Sequence, residues 1–189
     1  MNREASPDMD ADLVLRFRNG EESAFEDLVR RHMRDAYGFC LRLTGDPAEA
    51  EELSQDGFVL AYRHLKEFRG ESTFRSWFFR ILLNRHRDRI RGRRREEGRR
   101  EALRREEEAR GEAALDGGAD LQAGELADVI RKHVEKLPER QREVLMLHVY
   151  QGLAYREIAA VLDCSYDDVK MNLSLARRRL REELRERLS

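Results

Sequence analysis

A chain of 189 residues with 40% charged side chains and a mean hydropathy of −0.79 is too polar for one large core. No apolar run approaches the ~18 residues of a membrane span. The net charge of −1 conceals segregation: residues 75–95 hold nine Arg against one Asp, whereas residues 35–56 hold six acids against one Arg. Such blocks point to separate surfaces for separate partners. Cys40 and Cys164 form neither a C-x-x-C pair nor zinc spacing, and no secretory leader is evident, so a reducing, cytoplasmic setting without membrane insertion is expected.

In chain order nearly everything reads as helix, and strand alternation is absent. Asp10 to Arg18 is a short amphipathic helix stopped by Asn19-Gly20. Ser23, with Glu26 three residues on, predicts a capped start for the next helix. Phe25, Leu28, Val29, Met33, Tyr37, Cys40 and Leu41 give that helix one buried stripe, and Thr44-Gly45 ends it. Asp46-Pro47-x-Glu49 is a helix start with an acidic cap and Pro at the first helical position; this helix runs to about Leu65. After a polar loop from Phe68 to Thr73, Ser72 or Thr73 caps a basic helix from about Phe74 to Arg94 with Trp77, Phe78, Ile81, Leu82 and Ile90 as its stripe.

Apolar residues thin out from residue 96 to Gly124, and residues 106–124 carry six acids against one Arg. The segment cannot bury enough to offset its own ordering and reads as an acidic linker, with its arginine- and glutamate-rich first part able to continue as an exposed helix. A first domain over 9–95 and a second over 125–188 follow. In the second, Val129, Ile130, Val134 and Leu137 line one helix, and Val144, Leu145, Leu147 and Val149 are the buried face of the next. The last two helices are Tyr155–Asp163 and Val169–Arg181, joined by a short polar break. Two short helices at that spacing are a helix-turn-helix, the common means of placing a helix in a DNA major groove.

Three stretches are specific enough to compare with a family. Ala50-Glu-Glu-Leu-Ser-Gln-Asp-Gly-Phe58, Phe68-Arg-Gly-Glu-Ser-Thr-Phe-Arg-Ser-Trp-Phe-Phe-Arg-Ile-Leu-Leu-Asn84-Arg-His-Arg-Asp88, and Leu137-Pro-Glu-Arg-Gln-Arg-Glu-Val-Leu145 with Gly152-Leu-Ala-Tyr-Arg-Glu-Ile-Ala159 occur in that order. The chain resembles the extracytoplasmic-function (group IV) sigma factors of bacterial RNA polymerase. The resemblance implies an all-α fold and a protein that binds core polymerase and directs recognition of −10 and −35 promoter elements, melting and initiation.

It further implies that Asp46, Glu49, Glu52, Leu53, Gln55, Asp56 and Phe58 dock on the clamp coiled coil of the polymerase's largest subunit. The second domain would meet the flap of the second subunit. For the −10 element the candidates are Phe68, Arg69, Ser72, Thr73, Arg75, Trp77, Arg80, Asn84, Arg85, Arg87 and Arg91. The arginines suit phosphates, the loop suits a flipped base, and Asn84 can read a base edge. Trp77 either stacks on a base or anchors the core, and Asp88 pairs with Arg85 or Arg91. For the −35 element they are Arg156, Ser165, Tyr166, Lys170, Asn172, Ser174, Arg177, Arg178 and Arg181. Here the chain departs from the family, which has Gly in the turn, Gly-Thr opening the recognition helix and then Lys-Ser-Arg. This chain has Asp163, Asp167-Asp168 and Lys170-Met171-Asn172. An unusual −35 sequence or weak −35 binding is expected. An anti-sigma factor is a further partner the family allows.

The five His form no metal constellation, and no catalytic motif or cofactor site is evident, so no enzyme activity is expected. The alternatives are an autonomous helix-turn-helix regulator, which binds DNA without polymerase, and a nuclease, for which Asp88 alone beside the basic helix supplies too few carboxylates.

Overall fold

The computed structural model describes residues 7–108, 133–134 and 136–188, and these form seven α-helices with no strand among them. They are α1 (Pro7–Arg18), α2 (Ser23–Thr44), α3 (Pro47–His64), α4 (Phe74–Glu108), α5 (Glu139–Val149), α6 (Tyr155–Leu162) and α7 (Tyr166–Leu188). A 3₁₀ turn, Leu65–Glu67, follows α3. The expected helix residues Val129 and Ile130 and the linker residues 109–124 lie outside the described residues.

Local chemistry sets the helix ends. Asp46 accepts the Glu49 amide at 2.8 Å, and Pro47 occupies the first turn, as its missing N–H and fixed φ favour. Gly45, at φ +72, closes α2 on the Leu41 carbonyl, a left-handed position that glycine takes at least cost. Of the two candidates before α4, Thr73 is the cap: its hydroxyl accepts the Ser76 amide at 3.1 Å. The Ser23 cap is not formed. Glu22 holds that position in helical conformation, because the tight turn from Gly20 already runs Glu21 and Glu22 into the helix with 3₁₀-type bonds, and the Ser23 hydroxyl turns to Glu21.

α1 to α4 make the first unit. Leu28, Phe39, Leu53, Phe78, Phe79 and Leu82 are its fully buried centre. Phe58 packs on Phe78 at 4.5 Å, and Phe39 meets Phe79 edge-on at 4.9 Å. α3 and α4 approach closely because Gly57 has no side chain; a Cβ there would stand 2.2 Å from Leu82 Cδ2. The stripe expected on α2 is narrower than its spacing suggests. Met33 and Tyr37 are exposed, since α3 and α4 cover only the Leu28–Phe39–Cys40 face. The Cys40 thiol, sealed inside, is pushed up to about 12 by burial and is unreactive at neutral pH.

α4 is one uninterrupted helix of 35 residues, about 52 Å at 1.5 Å per residue, and it continues to Glu108 inside the segment read as linker. Its arginines and glutamates sustain it by short-range pairs such as Arg99–Glu96 at 2.9 Å.

In the second unit α5, α6 and α7 pack around Val144, Leu147, Ile158, Leu162, Val169 and Leu173. Val149, expected inside, is 56% exposed, because α5 ends there and the chain turns away through Tyr150 and Gly152. The recognition helix starts three residues before the predicted Val169. Ser165 and Asp168 form a reciprocal cap: Ser165 Oγ accepts the Asp168 amide at 3.0 Å, and the Asp168 carboxylate accepts Ser165 N–H at 3.1 Å and Oγ–H at 2.7 Å.

Candidate nucleic-acid interface

The arginines of α4 radiate in three directions. Arg85, Arg89 and Arg93 stand at steps of four and face α3, where Asp56, Glu52 and Glu49 meet them in antiparallel order. Arg85 and Arg89 both reach Asp56, at 2.8 and 2.7 Å, and Arg93 reaches Glu49 at 2.5 Å. The guanidinium of Arg89, then that of Arg85, holds the Asp56 carboxyl below its ordinary value despite partial burial. The acidic face of α3 is therefore an ion-pair ladder. Its exposed rungs contribute about 0–1 kcal/mol each, weak enough for another protein's cations to replace.

Arg75, Arg80 and Arg87 face the second unit. Arg75 Nη2 donates to the Gln151 carbonyl at 2.6 Å. Arg80 donates to the Ala160 carbonyl and Arg140 to that of Leu162 at 2.8 Å, so two guanidiniums satisfy the free carbonyls ending α6. Arg87 grips Glu143 with Nε at 2.8 Å and Nη2 at 2.6 Å, and Glu143 is only 3% exposed. From α2, Arg42 lies over the Tyr150 ring at 4.4 Å.

Arg91 points outward, and Asp88 pairs with it at 3.9 Å, the second of the two partners considered. Asn84 is exposed, with Arg87 Nη1 at 3.5 Å from its Oδ1. Trp77 is half-buried between Phe68 at 5.0 Å and Phe74 at 5.8 Å, which leaves both anchoring and stacking open to it. His86 is pushed down to about 4 by burial and by Arg142 and Arg93, so it is uncharged at neutral pH and adds nothing to the cationic surface.

The loop before α4 turns at Gly70 (φ +74) and faces a cleft of about 520 Å³ lined by Phe68, Arg69, Ser72 and Thr73. On the second unit, Tyr166, Lys170, Ser174, Arg177 and Arg181 fall at steps of four and three along α7, all exposed on one face, and Arg178 is exposed beside it. Arg156 is exposed on α6. Asn172 instead donates to the Asp168 carbonyl at 2.8 Å and is half-buried. Ser165 and Asp168 are engaged in their cap, and the Ser165 hydroxyl, followed by its amide, holds the Asp168 carboxyl low. Asp163 takes the left-handed turn position, φ +50, that glycine would hold without strain.

Sequence reading missed Glu143, Gln151, Tyr150, Arg89 and Arg93. Glu143 carries one local signal, a carboxylate directly before the buried run Val144–Leu147, but its partner lies 56 residues away. Among the described residues no group of His, Cys, Asp and Glu is arranged to hold a metal ion, and no helix is long and apolar enough to cross a membrane.

The family model for sigma-70 region 2 matches residues 28–96, and that for sigma-70 region 4 matches 127–180. The chain is similar to the RNA polymerase sigma-H factor of Pseudomonas aeruginosa: 30% identical, over 90% of this chain and 91% of that one. It is 28% identical to the ECF RNA polymerase sigma factor SigW of Bacillus subtilis, over 92% and 95%.

The chain belongs to the extracytoplasmic-function sigma factors of the sigma-70 family.

Two solved structures share its fold. CnrH, in complex with the cytosolic domain of CnrY, has TM-score 0.71 and 30% identity over 94% of this chain and 98% of that one. The sigma factor RpoE of Bartonella quintana, in complex with the anti-sigma factor NepR, has TM-score 0.66 and 27% identity over 85% and 96%. Both support the all-α architecture of two helical units. This sigma factor acts in promoter recognition and transcription initiation. α1 lies outside both matched segments.

Proposed function

We propose that this sigma factor docks on core RNA polymerase through the acidic face of α3 (Asp46, Glu49, Glu52, Leu53, Gln55, Asp56 and Phe58). In this reading α4 and its preceding loop take the −10 DNA, and the exposed face of α7 takes the −35 DNA. The observation that carries it is the clustering of arginines along α4 directly behind the loop cleft, together with the exposed cationic face of α7. Phosphate contacts supply affinity on both faces, and the loop and Asn84 supply sequence information.

On the −35 side, Ser165 is engaged in the helix cap and one amide hydrogen of Asn172 is spent on the Asp168 carbonyl, so Tyr166, Lys170, Ser174, Arg177, Arg178 and Arg181 are the exposed contacts on α7, and Asp167 is the carboxylate that opposes nearby phosphate. On α4, Arg75, Arg80 and Arg87 are engaged with carbonyls and a carboxylate of the second unit, groups that DNA phosphates would replace. The flap of the polymerase's second subunit, an anti-sigma factor and a cytoplasmic location complete the proposal.

Run-off transcription with purified core polymerase tests it. Promoter-specific transcript that requires both core and this chain supports the reading. Tight, specific duplex binding by the chain alone, with no transcript in the mixture, would make it an autonomous regulator instead.

A further inference from the structure

The cleft beside the 68–74 loop has a second wall that neither the sequence pattern nor the matched segments include. That wall is α1. Val14 and Leu15 face the cleft from its middle, and Arg18 faces it from its last turn. Leu15 is 56% exposed, so the core does not account for a leucine there.

α1 is pinned at both ends. Near its start, Asp10, 7% exposed, accepts from His32 Nε2 and Arg31 Nη1, each at 2.9 Å. Near its end, Phe17 is 3% exposed and meets Tyr62 edge-on at 5.3 Å, while Arg18 Nη1 approaches the Phe68 carbonyl at 3.4 Å. The helix is thus held at a set distance from the loop. The loop's own hydroxyls are engaged: Thr73 caps α4, and Ser72 donates to the Thr73 carbonyl at 3.3 Å. Donors at the rim come from Arg69 and from the remaining N–H groups of Arg18, and no carboxylate lines the cleft.

We propose that α1 is half of the promoter-base pocket: Leu15, backed by the buried Val14, presents the apolar face against which an unstacked −10 base lies, and Arg18 donates to its edge or its phosphate. The proposal rests on the reading that the loop captures a base. The chemistry favours that occupant. A flat ring with polar edges on an anionic backbone matches one apolar wall, a cationic rim and no acid.

The test uses the full chain with core polymerase on fork-junction DNA whose unpaired strand is randomised. Recovered sequences give base enrichment at each unpaired position. Leu15→Ser and Arg18→Ala are compared with Arg69→Ala in the loop. The expected result is that both α1 variants flatten enrichment at one unpaired position and weaken fork binding by about fivefold or more. Fully paired DNA should lose much less. If the α1 variants keep the enrichment while Arg69→Ala loses it, the proposal is overturned and the loop reading stands. If all three variants keep it, or the wild type shows none, the loop reading falls as well. Equal weakening on all DNAs overturns the proposal too, because α1 would then act through the fold or the polymerase.

Discussion

Replacing Glu143 by Gln should make the free chain bind DNA more tightly. Glu143 is 3% exposed and accepts two hydrogen bonds from Arg87, at 2.8 and 2.6 Å. Charge-assisted hydrogen bonds of this kind contribute about 1.5–3 kcal/mol net each. Gln keeps the volume but removes the charge and turns one acceptor into a donor facing the guanidinium. Discounting for the partial exposure of Arg87, the contact loses about 2 kcal/mol, which shifts the equilibrium between packed and separated units by about 30-fold. DNA binding that needs Arg87 free gains at most that factor, less if the separated form is already populated. Separation also releases Arg75 and Arg80, so the dependence of log K on log salt should steepen by about 0.9 for each phosphate gained. Fluorescence anisotropy with labelled duplex across a salt series measures both. Glu139→Gln makes the same charge change at a neighbouring exposed site, 3.9 Å from Arg87, and serves as the control. If Glu143→Gln matches Glu139→Gln in affinity and slope, with an intact circular dichroism spectrum, the contact does not restrain DNA binding.

Other outcomes follow from local geometry. Burial by itself would push the Asp10 carboxyl up, but His32 and Arg31 outweigh it and hold it below its ordinary value. Its stabilisation is therefore present above about pH 4 and lost as pH falls through the lowered value; Asp10→Asn should cost about 1.5–3 kcal/mol at neutral pH and flatten the fall in Tm below pH 5. Gly57→Ala should lower Tm, since overpacking against Leu82 costs about 1–3 kcal/mol and outweighs the 0.5–1 kcal/mol gained in helix propensity; a rise would show that Leu82 yields freely. Asp163→Gly should leave stability unchanged or raise it by up to about 1 kcal/mol in denaturant titration, whereas Asp163→Val should lower it, because only glycine takes φ +50 without strain.

The helices and the order of their functional segments are legible without coordinates because their signals are local. Asp46, Pro47 and Gly45 end and start helices through bonds reaching at most four residues, and the α4 stripe repeats at the helical period. The recognition-helix start was legible in principle from the Ser165–Asp168 spacing. What the sequence by itself determined was thus an all-α chain with an acidic face, a basic helix and a helix-turn-helix. Tertiary structure decided which residues each face meets. Arg85, Arg89 and Arg93 differ little in sequence context from Arg80 and Arg87, yet the first three turn to α3 and the other two to the second unit. That split follows from the rotation of α4 about its own axis when Phe78, Phe79 and Leu82 enter the core. The same packing leaves Met33, Tyr37 and Val149 outside and brings α1 against the loop. These outcomes depend on separations of tens of residues, and no periodicity along one strand of chain encodes them.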